Sequence, residues 1–442
     1  MTRSKPKATR PRHPSAPRPA PRRPVKMGAP GNGAGRPCRI ATYSPGMVGF
    51  GHIRRNASIA QALTTSPLRP TIVMIAEAWQ AGTLPMPRGV DCVTLPAMRK
   101  ESEGHYVSRF MDVSDEDLVA LRSKVIRGAM EAFDPDVLIV DHLPLGAARE
   151  LSDTLETLKA RGRTHCVLGL RDVLQDRATV HRMWSDRAHL EAVQQHYDAI
   201  WVYADPAVYD LMHEHEVFNG LASRVRFTGY LDQRPRLSHA ALRAEALLDS
   251  LPQGRLALCL VGGGYDGDGL AEAFLQATLP PDMTGLVVTG PYMPEETWRR
   301  LSRLAAAAPR MHLIDFLAEP LPLVDRADRV VAMGGYNTIC EVLSLDKHAL
   351  IVPRAGTDGD QWIRARRMRD MGLIETLDPA ALGPEVLGAW LARDLGPPPA
   401  CSSRIDLGGL DRIPVLLGEL LSSSVHDRGT AVSPAVGTWS AP

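Results

Sequence analysis

The chain has 442 residues, enough for two or three domains of about 150 residues each. Hydrophobic residues make up 44% and charged residues 23%, which is the composition of a globular protein with a sizeable core and excludes wholesale disorder. The net charge of +1 is unevenly distributed: residues 1–37 carry ten basic and no acidic side chains, whereas the remainder carries 41 basic and 50 acidic ones. A basic body that binds a nucleic-acid backbone is therefore excluded.

Both ends of the chain have a composition that is typical of tails. Residues 1–37 contain nine prolines and no apolar periodicity, and residues 423–442 are similarly loose, so both are predicted to be disordered. The six cysteines are isolated in sequence, which suits a reducing compartment. With no apolar run of about 18 residues and no secretion signal, we expect a cytoplasmic protein with at most peripheral membrane contact and no specific nucleic-acid partner.

Strands and helices alternate between the tails. A helix is predicted over His52–Leu63, and a long helix is predicted to begin after Ser114 and to end at Asp134-Pro135. The predicted strands of this half are Cys38–Tyr43, Thr71–Ala76, Cys92–Leu95, Val137–Val140, His165–Leu170 and Ile200–Tyr203. Repeated strand–helix units of this kind predict a parallel sheet with helices on both faces.

The alternation stops once and then begins again. Residues Thr228–His239 are rich in Gly, Pro and charge and are predicted to link two domains. The strands predicted after them are Leu256–Val261, Leu286–Thr289, His312–Asp315, Val330–Met333 and Ala349–Val352. The predicted fold class is therefore α/β, with two Rossmann-like doubly wound domains facing a cleft, over residues 38–230 and 238–422.

Ligands of open parallel sheets bind beyond the carboxyl ends of the strands, so the loops there are the places to search. The first such loop contains Gly49 and Gly51 in the spacing G-x-x-G-x-G and leads into His52 at the start of a helix. This is not the dinucleotide fingerprint, and no cofactor is expected. The helix dipole favours a neutral imidazole, so His52 is predicted to be a general base; a capping or packing role is the alternative.

Three loops of the second half are typical of phosphate and sugar binding. The glycine pair Gly334-Gly335 follows the strand Val330–Met333, and Thr338 and Glu341 come after it at helical spacing. Asp360 and Gln361 begin the helix that follows the next strand, Ala349–Val352. The candidate donor-binding residues here are Gly263, Gly264, Gly334, Gly335, Tyr336, Asn337, Thr338, Glu341, Arg354, Asp360 and Gln361. Arg354 or Arg364 is expected to offset diphosphate charge. Asp358-Gly359-Asp360 matches a D-x-D element in letters, but it is interpreted as a sugar-contacting loop, so no metal is expected.

Strand ends of the first half supply the remaining candidates. Asp141 and His142 follow one strand, and Arg171 and Asp172 follow the next. Either pair is placed to orient an acceptor hydroxyl or to support His52, and Asp141 is taken with His52 as the catalytic pair. The alternative is that these residues pair with the backbone of their own loops.

With these motifs the chain resembles the GT-B glycosyltransferases, in particular the branch of the N-acetylglucosaminyltransferase that makes lipid II. The spacing of Gly335, Thr338 and Glu341, then Gln361, is similar to that family's nucleotide-sugar signature. The resemblance implies that Glu341 holds the ribose, that the Gly334–Tyr336 backbone takes the diphosphate, that Gln361 binds sugar hydroxyls and that the backbone near Phe316 reads the base. Arg364 stands where the family has an Asn.

The resemblance implies a metal-independent, inverting transfer from a nucleoside-diphosphate donor, most simply a UDP-sugar, to an acceptor that the sequence does not identify. Two alternatives stay open. The segment from Gly49 to Arg55 is also similar to the nucleotide-sugar hydrolase of pseudaminic acid synthesis, in which the matching His activates water. A non-catalytic nucleotide-sugar sensor with the same fold is the other alternative. Nucleotide-sugar 2-epimerases are also built in this way.

Overall fold

The structure is a computed structural model that describes residues 36–45, 51–77, 86–102, 105–185, 187–238, 248–354 and 359–423. The predicted disordered tails lie outside these ranges except for a few residues at their inner ends, and so does Gly49.

The described residues contain fifteen strands. They are β1 (Arg39–Ser44), β2 (Thr71–Ala76), β3 (Val90–Thr94), β4 (Met98–Ser102), β5 (His105–Ser108), β6 (Val137–Asp141), β7 (His165–Arg171), β8 (Ala199–Tyr203), β9 (Val225–Phe227), β10 (Arg255–Leu260), β11 (Met283–Val288), β12 (Met311–Ile314), β13 (Arg329–Ala332), β14 (Ala349–Ile351) and β15 (Glu375–Thr376).

Residues 234–238 and 248–250 are helical on either side of a gap in the described ranges. Thirteen further α-helices lie wholly within those ranges and connect the strands. They are α1 (Gly51–Thr65), α2 (Asp115–Phe133), α3 (Ser152–Arg161), α4 (Arg177–Ser185), α5 (Arg187–His196), α6 (Leu211–Glu214), α7 (Asp268–Leu275), α8 (Glu295–Ala307), α9 (Leu321–Arg326), α10 (Tyr336–Ser344), α11 (Asp360–Asp370), α12 (Pro384–Ala392) and α13 (Gly409–Ser422). Three 3₁₀ helices add Glu216–Arg224, Pro379–Ala381 and Cys401–Ser403.

The strands form two parallel sheets and one hairpin. The first sheet has the order β3-β2-β1-β6-β7-β8-β9, the second has the order β12-β11-β10-β13-β14-β15, and β4 pairs with β5. In each large sheet the second and third strands are added on one side of the first strand, β1 or β10. The chain then crosses back, and all later strands are added on the other side of that first strand. The carboxyl ends of β1 and β6, and of β10 and β13, therefore flank the topological switch points, where open α/β sheets bind their ligands.

The prediction of two Rossmann-like domains is confirmed, and the local signals that supported it are visible in the structure. Val137–Asp141 is buried throughout, as expected for a central strand with helices on both faces. Ser114 caps α2 by accepting a hydrogen bond from the Asp117 backbone amide, and Asp134 ends the helix in a left-handed conformation at φ 49°.

The segment predicted to be a linker is packed rather than loose. Residues 228–231 are buried, and the Tyr230 hydroxyl donates to Asp172. The backbone N–H of Gln233 donates to Ser344 Oγ at 2.9 Å. Helix α13 returns to the first domain, where it packs against α1. The predicted division into 38–230 and 238–422 stays a prediction, and α13 is the part of the second range that packs on the first domain.

Candidate functional site

The two switch points face each other across the domain boundary. Helix α1 begins at Gly51 directly beyond β1, and α10 begins at Tyr336 beyond β13. The Asn337 side-chain amide donates to the Gly51 carbonyl at 2.7 Å, so the N-termini of the two helices meet. The free N–H groups and the positive dipole ends of two helices thus converge on one place, which favours an anion there.

His52 is the second residue of α1 and contacts Asp141 at the end of β6. The distance from His52 Nδ1 to Asp141 Oδ2 is 2.9 Å, and the imidazole is 16% exposed whereas the carboxylate is fully buried. An Arg55 nitrogen also lies 2.9 Å from Nδ1, but both groups are within reach of the carboxylate, which only accepts. We therefore assign the Nδ1 proton to the bond with Asp141, and Arg55 donates to the same carboxylate and not to the imidazole. His52 Nε2 then carries the lone pair and is the nitrogen that is able to take a proton.

Charged groups surround this pair. Burial alone would raise the pKa of Asp141, but the positive charges of Arg55 and His52 outweigh it and hold that pKa below its usual value. The pKa of His52 is lowered, first by burial and then by Arg55 and Arg171, against the opposing effect of Asp141. The imidazole is therefore neutral at pH 7, as a general base requires.

His142 completes this side of the site. Its ring centroid lies 5.6 Å from that of His52, and its backbone has φ 73°, a left-handed conformation that is uncommon for a residue with a side chain. Its Nδ1 is buried with no hydrogen-bond partner, and burial holds the pKa of His142 well below its usual value. The predicted role of His142, to orient an acceptor hydroxyl or to support His52, stays a prediction, and its ring is a neighbour of the His52 ring.

On the opposite side, two glycine-rich loops contact each other. Gly264 has φ 86° and Gly290 has φ 88°, and a Cβ on either would lie within 2.4 Å of a backbone oxygen of the other loop or its flank. Only glycine fits these positions. The space around Gly335 is open, since a Cβ there would meet no atom within 4 Å, and Thr338 one turn later is partly exposed.

Glu341 is not on the cleft surface. It is 1% exposed and accepts a hydrogen bond from Arg236 at 3.2 Å, while the same guanidinium binds Glu319 through two nitrogens. Burial raises the pKa of Glu341, against the positive charges of Arg236 and Arg54. In this conformation Arg236 occupies the Glu341 carboxylate, so the predicted contact of Glu341 with a ribose requires a change of partner and stays a prediction.

Arg364 and Asp172 also differ from expectation. Both are fully buried, and the Arg364 guanidinium donates to Asp172 at 2.7 Å across the domain boundary and to the Gly334 carbonyl at 2.8 Å. Asp360 accepts from Arg364 and pairs with Arg171 at 3.2 Å. The Arg364 charge is therefore already paired in this conformation, and arginines occupy both Asp172, which was predicted on the acceptor side, and Asp360, which was predicted in the sugar-contacting loop. Such pairing is expected because unpaired buried charges are costly.

Arg354 joins two of the remaining predicted donor loops. Gln361 Oε1 accepts from the Arg354 amide at 2.9 Å, and the Arg354 side chain pairs with Asp266 in the loop after Gly263 and Gly264. Phe316 is half-buried after β12, and its amide donates to Asp315 at 2.6 Å. Arg54 of α1 donates to the next two carbonyls, those of Leu317 and Ala318, so both domains contact this segment.

Sequence reasoning missed three residues of the site. Arg55, Tyr203 and Arg236 all touch predicted site residues: Arg55 binds Asp141, the Tyr203 carbonyl accepts from the Tyr336 hydroxyl, and Arg236 binds Glu341. The only sequence feature that could have indicated Arg55 is the Arg54-Arg55 pair after His52. Its two members have different partners, since Arg54 contacts the Leu317 and Ala318 carbonyls and Arg55 contacts Asp141. Nothing in the local sequence marks Arg236, which is 105 positions from Glu341.

Comparison with solved structures identifies the architecture. The glycosyltransferase of kitacinnamycin is 17% identical with a TM-score of 0.53, covering 87% of this chain and all of that one. A putative UDP-N-acetylglucosamine 2-epimerase from Listeria monocytogenes and the UDP-GlcNAc 2-epimerase from Methanocaldococcus jannaschii each give 12% identity and a TM-score of 0.55, with 88% and 86% of this chain and 97% and 99% of theirs covered. The chain has the GT-B fold.

Sequence comparison adds a short match. Over 65 residues the chain is 32% identical to the UDP-N-acetylglucosamine–N-acetylmuramyl-(pentapeptide) pyrophosphoryl-undecaprenol N-acetylglucosamine transferase of Haemophilus influenzae. The match spans 15% of this chain and 18% of that transferase. No family model matches the chain. The GT-B fold thus agrees with the resemblance seen in the motifs, and transferases and epimerases share it.

Two kinds of feature are absent from the described residues. Within those ranges no group of three or more His, Cys, Asp and Glu side chains is arranged to hold a metal ion. In the same part of the chain no helix is long and apolar enough to cross a membrane.

The buried contact between Arg364 and Asp172 predicts a large stability effect. Arg364→Ala would leave the Asp172 carboxylate buried with only the Tyr230 hydroxyl, so the free energy of unfolding should fall by about 3–5 kcal/mol. Arg299→Ala, which removes an exposed ion pair with Glu295, is the control and should change it by less than about 1 kcal/mol. Denaturant titration measures both, and equal effects would show that the buried pair is unimportant.

Proposed function

We propose that the protein is a glycosyltransferase that moves a sugar from a nucleoside-diphosphate donor, UDP-linked, to an acceptor hydroxyl with inversion and without a metal. The observation that carries the proposal is the contact of His52 with Asp141 opposite the N-terminus of α10. One domain thereby presents a neutral base at the cleft, and the other presents an anion-binding helix end to it.

In the proposed mechanism the base acts in a single displacement. His52 Nε2 accepts the proton of the acceptor hydroxyl as its oxygen attacks the anomeric carbon, and the bond from that carbon to the diphosphate oxygen breaks. The acceptor proton is thereby transferred to the imidazole, and the electron pair of the broken carbon–oxygen bond leaves with the nucleoside diphosphate. Asp141 stabilises the imidazolium that forms, because it faces Nδ1 at 2.9 Å.

The leaving diphosphate is met by backbone and dipoles. Helices α1 and α10 have no acidic residue in their first turns, so neither first turn itself carries a charge that opposes the diphosphate, and the nearby Asp141 carboxylate is paired with Arg55. Gly335 leaves room for a phosphate to approach the amides at the start of α10. The nucleoside of the donor is proposed to be uridine because the short sequence match is to a UDP-N-acetylglucosamine transferase.

His52→Asn should cut turnover by about 10²–10⁴-fold, because it removes the general base and keeps a side chain of similar size. Donor affinity should stay nearly the same, since the other domain is proposed to hold the donor. The measurement is nucleotide release from a panel of UDP- and CMP-linked sugars, with and without a cell-extract acceptor fraction.

The same assay separates the alternatives. Fast release of free sugar without acceptor, abolished by His52→Asn, would overturn transfer in favour of hydrolysis, since a transferase must exclude water until an acceptor binds. Conversion of the donor to its C2 epimer would favour an epimerase, a class with which the chain shares its fold. UDP binding without any turnover would favour a sensor, and turnover that His52→Asn leaves unchanged would remove the proposed base.

Glu341→Ala should weaken UDP binding by about 1–3 kcal/mol, because Glu341 is proposed to exchange Arg236 for the ribose hydroxyls when the nucleotide binds. Glu319→Ala is the matched control: it removes the other carboxylate that Arg236 binds, but one that is not proposed to touch the ribose. Calorimetry with UDP on the two variants and the parent protein makes the comparison.

If both carboxylate variants weaken UDP equally, Glu341 acts only through Arg236 and the ribose lies elsewhere. If neither changes the affinity, the proposed nucleotide site on α10 is wrong. Thermal unfolding without nucleotide records the loss of the buried ion pair separately from the loss of binding.

A further inference from the structure

Arg55 joins the proposed base to the opposite domain. One of its terminal nitrogens lies 2.6 and 2.7 Å from the two Asp141 carboxylate oxygens and 2.9 Å from His52 Nδ1. The residue is 3% exposed, so its charge has little access to water. The carboxylate is therefore shared between the imidazole and the guanidinium, which holds it in place beside Nδ1.

Tyr336 is the residue against which Arg55 packs. The Arg55 guanidinium carbon lies 5.4 Å from the centre of the Tyr336 ring, within the range of a cation–π contact. The ring is held in place because the Tyr336 hydroxyl donates to the Tyr203 carbonyl at 2.7 Å. Tyr336 is the first residue of α10, the helix proposed to receive the diphosphate.

We propose that Arg55 is a positioning residue that orients Asp141 toward the Nδ1 proton of His52 and keeps the imidazole uncharged, and that the Tyr336 ring of the donor domain holds Arg55 there. The proposal rests on the proposed function, in which His52 is the base. It gives Tyr336 a second task beside donor binding, because the base is then correctly assembled only when α10 is in place.

The direction of the effect follows from the charges around the ring. The groups that face His52 are Arg55 on its own helix, Asp141 and His142 after β6, and Arg171 at the end of β7. Asp141 raises the pKa of His52, and Arg55 and Arg171 lower it. Removing the Arg55 charge leaves Asp141 less opposed, so the pKa of His52 must rise.

The test is a histidine NMR titration of the full chain without nucleotide, with the His52 signal assigned by its absence in His52→Asn. Arg55→Gln should raise the pKa of His52 by about one unit or more, the size expected for a neighbouring charge. Arg55→Lys keeps a positive charge and should leave the pKa within a few tenths of the parent value. An unchanged pKa in folded Arg55→Gln overturns the proposal.

A second pair of variants decides the matter if Arg55→Gln does not fold. Tyr336→Leu removes the ring and should raise the pKa of His52 in the same direction by a smaller amount, because Arg55 loses its contact. Tyr336→Phe keeps the ring, loses only the hydroxyl, and should behave like the parent. Equal values for the two Tyr336 variants overturn the contribution of the ring.

Turnover separates this inference from the proposed function. The base must be neutral, so the rate rises with pH through the pKa of His52, and in Arg55→Gln the acidic limb should move to higher pH by the amount seen in the NMR titration. If the NMR signal moves but the acidic limb does not, Arg55 does set the charge of His52 while His52 is not the base. If neither moves, the assignment of Arg55 itself is wrong.

Discussion

The site depends on one electrostatic constraint: two parallel sheets face each other with their carboxyl ends, and the charged side chains buried there must find partners across the boundary. Arg364 and Asp172 are both completely buried and belong to different domains, and Arg171 pairs with Asp360 beside them. A buried ion without a partner costs several kcal/mol, so these contacts fix how the domains meet. The catalytic proposal rests on that fixed meeting.

Because the domains meet in this way, side chains of both contribute to the cluster around His52. His52 and Asp141 come from the first domain, and the Tyr336 ring of the second packs on the arginine that binds Asp141. Glu341, in contrast, is paired with Arg236 in this conformation. The proposed site therefore combines a base whose partners are already in contact with a carboxylate, Glu341, that has to change partners, and donor binding is proposed to make that exchange.

Much of the fold could be predicted because its signals are local. Apolar runs such as Val137–Val140 mark central parallel strands, and Ser114 and Asp134 mark the ends of a long helix. His52 and Asp141 could be placed at strand ends from the order of the elements alone. The partners of Glu341 and Asp172 could not, because Arg236 and Arg364 lie 105 and 192 positions away and long-range pairing leaves no mark in the nearby sequence. The return of α13 to the first domain was missed for the same reason.

A crystal structure of the protein with UDP tests the central claim most directly. The account predicts the diphosphate at the amides that begin α10 beside Gly335, the ribose hydroxyls on Glu341 with Arg236 turned away, and His52 Nε2 facing the side of the β-phosphate from which the sugar would extend. UDP bound away from α10, or with its uracil end toward His52, would contradict the account.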